Sequence, residues 1–338
     1  MKRDYRSSIK RKERKDEMKR TIALIIALMM ITVSIPAVSF AGDVDSPQQI
    51  IEETEQPEGP DQPSTPEKPK IQKGWVKGIY YYNSQGKKVK GWKTIKGKRY
   101  YFGKATGKKF VGLHKIGKGK KALVCTFSKK GVLVRKLKAS KKSICLTFDD
   151  GPAASTKRVL ATLKKYDAKA TFFMVGNRCK AYKTSCKKVV KAGHQIGCHT
   201  YSHAWLQSLS AKGVKSQMKR GKHSIKKYTG VLPMVCRTPG GQNTKTIRKN
   251  VGMPIIHWSV DTRDWEHHNP ARTLQTVKSY SFDGAIILMH DLHSTTADAV
   301  PSVCKFLKSK GYQMVTIDEM ALLKGKKLKA GKVYYSFR

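Results

Sequence analysis

Cysteine is scarce in this chain, with seven residues among 338. They are too few and too scattered for a scaffold built on disulfides, and their odd number leaves at least one thiol unpaired. Their spacings match no common zinc–thiolate pattern, which argues against a cysteine metal cluster. Cys179 and Cys186, in a polar segment after a predicted strand, are the best-placed pair for a bridge. Cys145, Cys198 and Cys236 lie in apolar runs, where a free thiol packs as a small apolar side chain.

Acidic residues are also few, with 23 Asp and Glu against 69 Lys and Arg and a formal net charge of +46. Residues 73–140 contain 21 Lys and Arg and no acidic residue. A field of this sign favours a polyanionic neighbour. The alternative is a solvated basic surface that binds nothing in particular, because net charge by itself argues only for nonspecific association.

Long apolar runs are lacking except at the N-terminus, where uncharged residues 21–41 follow ten Lys and Arg in residues 1–20. The small residues Ser39 and Ala41 resemble a cleavage site, so residues 1–41 are interpreted as a secretory signal peptide. An uncleaved membrane anchor is the alternative, since about 20 apolar residues can span a bilayer. Both interpretations place the rest of the chain outside the cytoplasm. Anionic cell-wall polymers or lipid headgroups are then better partners than nucleic acid, which is not expected.

Two segments of contrasting composition follow the apolar run. Residues 42–72 are acidic and rich in Pro, with almost nothing apolar to bury, and are predicted to be an extended, solvated linker. Residues 73–140 are basic and rich in Gly and aromatic residues. Gly74-Trp75 recurs 17 residues later as Gly91-Trp92, and each pair begins an aromatic run bounded by Gly turns. This pattern predicts a small all-β region of hairpin repeats.

The Gly-Trp units resemble the cell-wall-binding repeats of choline- and glucan-binding surface proteins. A degenerate third copy extends through residues 112–134, and a weak echo occurs at residues 331–337. Aromatic side chains at this spacing can stack on sugars or surround a quaternary ammonium group. They can equally serve only to pack neighbouring hairpins together, because a short hairpin buries no face alone. The sequence leaves both interpretations open, and the ligand of the repeats is not identified.

From about residue 141 apolar runs alternate with amphipathic segments, which predicts a parallel α/β sheet. The predicted strands are 144–148, 170–175, 195–198, 234–236, 254–260, 285–289 and 313–316. The predicted helices are 156–166, 180–192, 210–228, 269–279 and 296–310. Polar motifs follow the carboxyl ends of these strands, where barrel enzymes assemble active sites. We therefore expect a distorted seven-stranded (β/α) barrel as a catalytic domain over residues 141–325, followed by a strand-like tail at 326–338.

Two adjacent carboxylates, Asp149 and Asp150, end the first predicted strand of this domain. Neighbouring residues at a strand end point to opposite sides, so the two side chains can take different roles. Asp150 with His199 and His203 supplies the three N and O ligands of a catalytic zinc-like site, which keeps one position for water. Asp149 is then the candidate base.

These residues belong to five ordered motifs that resemble those of the NodB-type polysaccharide deacetylases, carbohydrate esterase family 4. The motifs are Thr147–Pro152, the His199/His203 pair, Arg237–Gly241, Asp261–Trp265 and Leu288–Asp291. The resemblance covers about residues 141–323 and implies the NodB fold.

The resemblance also assigns roles. It implies that Arg237 holds Asp149, that His290 is the general acid, and that Asp264 pairs with His290. It further places Gly240, Trp265 and Leu288 at the substrate, with the backbone N–H of Gly240 near the oxyanion. The family usually carries an aromatic residue where this chain has Gly240, which predicts a cleft that is open on that side. Cys198 also replaces a more usual polar residue.

Together the sequence predicts an exported, wall-associated, metal-dependent hydrolase of amide bonds that removes N-acetyl groups from peptidoglycan amino sugars, with N-acetylglucosamine favoured. Zinc is the expected metal, with Co, Mn and Ni as alternatives because N/O sites accept several divalent ions. The motifs also allow a deacetylase of chitin-like, exopolysaccharide or O-acetylated xylan substrates. A third hypothesis is a cell-wall-binding protein whose catalytic fold is inactive.

Overall fold

The computed structural model describes residues 72–338. The predicted signal peptide at residues 1–41 therefore lies outside the described residues, as does the predicted linker at 42–72 except for its last residue. Within residues 72–338, no helix is long and apolar enough to cross a membrane.

The basic segment that begins at residue 73 forms antiparallel strands. They pair as two hairpins, β1–β2 and β3–β4, and one three-stranded sheet, β5–β6–β7. Their ranges are β1 Gly74–Val76, β2 Tyr80–Tyr82, β3 Gly91–Ile95, β4 Lys98–Phe102, β5 Gly112–Ile116, β6 Leu123–Phe127 and β7 Leu133–Lys138. Trp75 and Trp92 each contact the strands that follow their own hairpin. The ring centroids of Trp75 and Tyr100 are 5.2 Å apart, and those of Trp92 and Phe127 are 6.1 Å apart. These aromatic contacts join neighbouring hairpins.

The rest of the chain alternates strands and helices. The strands are β8 Ser143–Asp149, β9 Ala170–Met174, β10 Gln195–Cys198, β11 Ile255–Ile256, β12 Val260–Asp261, β13 Ile286–His290, β14 Gln313–Met314 and β15 Val333–Tyr334. The α-helices are α1 Thr156–Lys165, α2 Lys183–Lys191, α3 Ala211–Thr229, α4 Lys245–Asn250, α5 Asp264–His267, α6 Pro270–Tyr280, α7 Ser294–Ser309 and α8 Ile317–Leu323. All five predicted helices are present within a few residues of their expected ends. Three of the short helices, α4, α5 and α8, were not predicted.

The strands form a parallel sheet in the order β10–β9–β8–β13–β12, and β14 pairs with the start of β8. Every residue of β8 is buried, as expected for a central parallel strand covered on both faces. Cys236 bridges to Cys198 on one side and to Ile255 on the other, which extends the sheet to β11 and β15. This confirms the parallel α/β architecture. Among the strand pairs of residues 72–338 none joins β11 to β12, so barrel closure remains a prediction.

Two predicted strands differ in the structure. The segment 234–236 contributes only the bridges of Cys236, and the segment 254–260 divides into β11 and β12. The division separates two partners, because β11 pairs with β15 whereas β12 pairs with β13. The tail thus supplies a strand, β15, to the sheet of the preceding domain.

All seven cysteines are buried and free. The expected Cys179–Cys186 bridge is not formed in the structure. The Cys186 thiol instead points to the Cys179 carbonyl oxygen, with Sγ 3.9 Å away. Cys145, Cys198 and Cys236 pack in the interior, as their apolar surroundings predicted.

Arg135 of β7 connects the N-terminal strands to the parallel-sheet region. Its Nε donates to Glu319 Oε1 at 3.1 Å, and its Nη2 donates to the Met314 carbonyl at 2.9 Å. Glu319 is buried, and its other oxygen accepts from the backbone N–H of Thr316, which caps α8. The ion pair therefore lies in the interior between β7 and α8, where an unpaired carboxylate is costly.

Replacing Arg135 by Ala is expected to lower the free energy of unfolding by about 3–5 kcal/mol, because Glu319 is left buried without its partner. The matched control is Lys136→Ala, which removes an exposed positive charge from the neighbouring position. Chemical denaturation of both variants measures the difference. An Arg135→Ala protein as stable as the control would show that the two regions are not coupled through this ion pair.

Candidate active site

The two carboxylates that follow β8 point to different partners. Asp149 is buried, and its Oδ1 accepts a hydrogen bond from Arg237 Nη1 at 2.9 Å. Asp150 adopts a left-handed backbone conformation with φ of 66°, and its Oδ1 lies 3.3 Å from His199 Nε2 and 3.2 Å from His203 Nε2. The structure thus separates one carboxylate held by an arginine from one that faces two imidazoles.

Asp150, His199 and His203 form a donor set that fits a divalent metal ion. Their ligand atoms lie within 4.8 Å of one another, and Asp150 Oδ1 is buried without a hydrogen-bond donor. His199 Nδ1 lies 2.7 Å from the carbonyl oxygen of Arg237. Because a carbonyl only accepts, that nitrogen carries the hydrogen and leaves the Nε2 lone pair free for a metal. One carboxylate oxygen and two imidazole nitrogens are ligands that zinc-like ions accept.

Electrostatics at this donor set favour a cation. Burial alone raises the pKa of Asp150, but the contacts with His199 and His203 outweigh it and hold the pKa well below its ordinary value. Burial alone lowers the pKa of His199, but Asp149 and Asp150 outweigh it and raise the pKa. Two carboxylates thus concentrate negative charge on one side of the imidazoles.

The loop that carries both histidines is held against the long helix α3. Thr200 and His203 have φ of 64° and 57°, a conformation that costs energy unless the surroundings enforce it. The carbonyl of Thr200 accepts from the N–H of Gly176 at 3.0 Å. Gly221 of α3 leaves no space here, because a Cβ on it would lie 2.7 Å from the oxygen of Thr200. Close packing therefore fixes the spacing of the two imidazoles.

Arg237 is fully buried, and its guanidinium donates four hydrogen bonds. Nη1 donates to Asp149 and to Thr147 Oγ1, the latter at 2.8 Å. Nε and Nη2 donate to the carbonyls of Ile256 and His257, each at 2.8 Å. The guanidinium also lies over the Phe173 ring, 4.4 Å from its centroid. Asp149 is thereby held in one orientation by a residue that is itself immobilised.

His290 ends β13 beside Asp149, its partner in the sheet register. Its Nδ1 lies 2.8 Å from Asp264 Oδ1, and its backbone N–H donates to Asp264 Oδ2 at 2.8 Å. Asp264 also accepts from the hydroxyl of Thr296. Burial lowers the pKa of His290, but the hydrogen bond and charge of Asp264 outweigh it and raise the pKa to about 9. The imidazole is therefore charged at neutral pH, with Nε2 remaining available.

Asp291 is a buried acid at the site to which the sequence assigned no role. The hydroxyl of Thr156 donates to its carboxylate, and the hydroxyl of Ser155 donates to its backbone carbonyl. A Cβ on Gly151 would lie 2.2 Å from its Oδ1. Burial, and after it the charges of the nearby carboxylates, raise the pKa of Asp291 to about 7. Asp291 thus connects the segment after Asp150, through Ser155 and Thr156, to the end of β13. The sequence signal was its place as the last residue of the fifth motif, Leu288–Asp291.

The residues that the sequence placed at the substrate occupy different environments. Trp265 is 48% exposed, whereas Leu288 is 4% exposed and lies beside Thr147 in the sheet. Gly240 has φ of 61°, in a turn between two indoles. A Cβ on it would lie 2.7 Å from the Trp205 ring. The prediction that Gly240 leaves this side of the cleft open is therefore wrong, because Trp205 covers it.

The remaining histidines of the catalytic region do not join the donor set. Buried His194 and His257 have pKa values lowered by burial, to about 3 and about 4. His293 lies near the predicted acid, with ring centroids of His290 and His293 6.3 Å apart. Its pKa is lowered by burial and by His268.

Comparison with known proteins identifies relatives of this chain. The family model described as polysaccharide deacetylase matches residues 136–253. The peptidoglycan-N-acetylglucosamine deacetylase PgdA of Listeria monocytogenes is 42% identical over 203 residues, which cover 60% of this chain and 43% of that protein. The peptidoglycan-N-acetylmuramic acid deacetylase PdaC of Bacillus subtilis is 37% identical, covering 55% of this chain and 40% of that protein. A Bacillus cereus peptidoglycan-N-acetylglucosamine deacetylase is 33% identical, covering 54% and 89%. The matched region thus spans less than half of the first two relatives.

Solved structures match a similar share of the chain. The T48 deacetylase with substrate has a TM-score of 0.56 and 37% identity, covering 58% of this chain and 98% of that one. A family 4 acetyl xylan esterase from Clostridium thermocellum, in complex with a cobalt ion, has a TM-score of 0.56 and 32% identity, covering 58% and 98%. BA3943 from Bacillus anthracis, described as a family pseudoenzyme, has a TM-score of 0.51 and 31% identity, covering 58% and 71%.

The pKa of His290 is expected to fall from about 9 in an Asp264→Asn variant, because burial remains while the hydrogen-bonded charge of Asp264 is lost. A raised pKa in the folded protein adds stability that is present below the unfolded pKa and lost as pH rises through about 9. NMR titration of the metal-free protein measures the pKa directly. Asp261→Asn, which removes the exposed carboxylate at the end of β12, is the control and leaves the pKa of His290 near 9. An unchanged value in the Asp264 variant would contradict this cause.

Proposed function

This chain belongs to the polysaccharide deacetylase family, and we propose that it is a metal-dependent deacetylase that hydrolyses N-acetyl groups of peptidoglycan amino sugars. The observation that carries the proposal is the set of three metal ligands beside two oriented proton carriers. Asp149 is held by Arg237 at 2.9 Å, and His290 is held by Asp264 at 2.8 Å. An amide has a weakly electrophilic carbonyl and a poor leaving group, so its hydrolysis needs both a base and an acid.

Each polar group then has a defined task. Asp150, His199 and His203 would hold a divalent ion, which would supply Lewis acidity to the carbonyl and lower the pKa of its bound water. Asp149 takes the proton of the attacking water, whose oxygen adds to the acyl carbon. His290 donates a proton from Nε2 to the amine nitrogen as the carbon–nitrogen bond breaks. The products are acetate and a free amine on the glycan.

The fixed partners of these groups support the two proton transfers. Arg237 fixes the orientation of the Asp149 carboxylate through the ion pair between Nη1 and Oδ1. Asp264 occupies Nδ1 of His290, so the proton on Nε2 is the one directed away from the protein. Gly240 is proposed to support the oxyanion through its backbone N–H, and Trp265 and Leu288 are proposed to contact the sugar.

The proposed substrate is N-acetylglucosamine within peptidoglycan. The names of the Listeria and Bacillus cereus relatives support this choice, whereas that of the Bacillus subtilis relative supports N-acetylmuramic acid. O-acetylated xylan is the second candidate, because the structure of an acetyl xylan esterase matches 58% of this chain with 32% identity. Zinc is the proposed metal, since its preferred ligands are present; cobalt, manganese and nickel are the alternatives.

We further propose that the protein is exported and associated with the cell wall, and that its catalytic unit is a distorted barrel. The charged and apolar pattern of residues 1–41 supports export. The absence of acidic residues from residues 73–140 supports an attraction of these strands to anionic wall polymers. Their Gly-Trp units are proposed to act as wall-binding repeats.

The proposal predicts that peptidoglycan treated with the metal-loaded protein loses acetyl groups from N-acetylglucosamine, as measured by mass spectrometry of the muropeptides. Asp149→Asn is expected to lower the rate at least a hundredfold, a typical contribution of a general base, while metal content is unchanged. Asp150→Ala is expected to lose both metal and activity.

Three outcomes discriminate between the hypotheses on carboxylate roles, substrate and catalytic activity. Loss of metal from Asp149→Asn with retention by Asp150→Ala would exchange the roles of the two carboxylates. Unchanged muropeptides with metal bound, together with acetate release from xylan, would move the substrate to the second candidate. No acetate from any acetylated glycan would favour a wall-binding protein with an inactive catalytic fold.

A further inference from the structure

Trp205 is an exposed aromatic residue next to the donor set that the proposed chemistry does not use. It follows the metal ligand His203 by two residues and is 53% exposed. Its ring contacts Gly240, which follows Arg237 by three residues. The indole therefore lies between the two loops that carry a metal ligand and the arginine partner of the base.

The contact between Trp205 and Gly240 requires glycine. A Cβ at position 240 would lie 2.7 Å from both Cη2 and Cζ3 of the indole, closer than side-chain carbon atoms approach without displacement. The backbone φ of 61° also disfavours other residues. The next residue, Gly241, is similarly close to Trp258, with 3.0 Å between a Cβ and Cη2. The turn is thus covered by one indole at each glycine.

The backbone around Trp205 is firmly held although its ring is open to solvent. Leu206 is fully buried, and the N–H of Gln207 donates to Gln242 Oε1 at 2.9 Å, which links the two loops. The hydroxyl of Ser208 donates to the Trp205 carbonyl at 2.8 Å. An exposed aromatic ring on a fixed backbone loses little freedom when a ligand covers it.

The surroundings of Trp205 identify the ligand that fits it. A glycan chain that places one acetyl group at the donor set extends its neighbouring sugars over the adjacent loops. The apolar C–H face of a pyranose ring matches the face of an indole, while the sugar hydroxyls stay in water. Trp265, also exposed, follows β12, which lies on one side of β8 in the strand order, whereas Trp205 follows β10, which lies on the other side. The two aromatic rings therefore lie on different sides of the central strand β8.

We propose that Trp205 is the stacking surface of a second sugar subsite, which binds the residue next to the acetylated sugar of a hexosamine chain. The proposal rests on the proposed deacetylase function. In it, Gly240 is kept small so that the indole of Trp205 can occupy the space above the turn. The subsite selects for chain length and not for the acetyl group.

The test compares a pentamer of β-1,4-linked N-acetylglucosamine with the monomer as substrates of the metal-loaded protein. Trp205→Ala is expected to raise KM for the pentamer on the order of tenfold, as loss of one aromatic contact implies. Its effect on kcat for the pentamer and on the monomer is expected to be much smaller. Trp205→Phe is expected to recover most of the pentamer KM, because it restores an aromatic face.

A control variant separates the loss of this stacking surface from the loss of any exposed aromatic residue. Tyr280→Ala removes an exposed aromatic residue at the C-terminal end of α6, which leads to the start of β13 and not to the end that carries His290. This variant is expected to leave KM and kcat unchanged for both substrates. Thermal unfolding of each variant verifies that the fold is retained.

The inference is overturned if Trp205→Ala leaves KM unchanged for both the pentamer and the monomer. It is also overturned if the variant lowers kcat equally for the two substrates. Failure of the proposed function is recognised separately, by titrating the Asp149→Asn protein with the pentamer by calorimetry. Pentamer binding that weakens on adding Trp205→Ala supports the subsite even if the unmodified protein deacetylates nothing. Equal binding with and without Trp205 overturns it.

Discussion

The buried guanidinium of Arg237 is the interaction on which the rest of the site depends. It joins β8 to the segment after Cys236 and to β11 through Thr147, Asp149 and the Ile256 carbonyl. The backbone carbonyl of Arg237 accepts a hydrogen bond from His199 Nδ1, which leaves His199 Nε2 as the nitrogen available to a metal. One residue therefore sets both the orientation of the base and the tautomer of a metal ligand. A charge buried so completely is tolerated because its donors are directed to fixed acceptors.

The scarcity of acidic residues gives each buried acid a specific position. Residues 72–338 contain eleven Asp and Glu, and four of these, Asp149, Asp150, Asp264 and Asp291, lie at the candidate site. Each contacts a different partner: an arginine, two imidazoles, one imidazole, and hydroxyl groups. The imidazole contacts outweigh burial and lower the pKa values of Asp150 and Asp264, whereas burial raises the pKa of Asp291. Different partners thus allow similar carboxylates to act as ligand, base or orienting group. The many Lys and Arg lie mainly at the surface and leave this arrangement intact.

Much of the site follows from the order of the motifs, because the carboxyl ends of parallel strands meet at one edge of the sheet. On this basis the sequence alone predicts that four site residues lie close together: Asp149, Asp150, His199 and His290. The contact of Trp205 with Gly240 could not be predicted in this way, since it depends on the path of two loops and not on any periodicity. The Arg135–Glu319 pair likewise joins residues 184 positions apart. The short helices and the divided strand β11/β12 were missed because segments of a few residues carry no periodic signal.

The most direct test of this account is a crystal structure of the zinc-loaded protein, with the metal located by anomalous scattering. The account predicts zinc bound by Asp150 Oδ1, His199 Nε2 and His203 Nε2, with Asp149 held off the metal by Arg237. Direct coordination of the metal by Asp149, with Arg237 turned away from it, would contradict the separation of ligand and base on which the proposed chemistry rests.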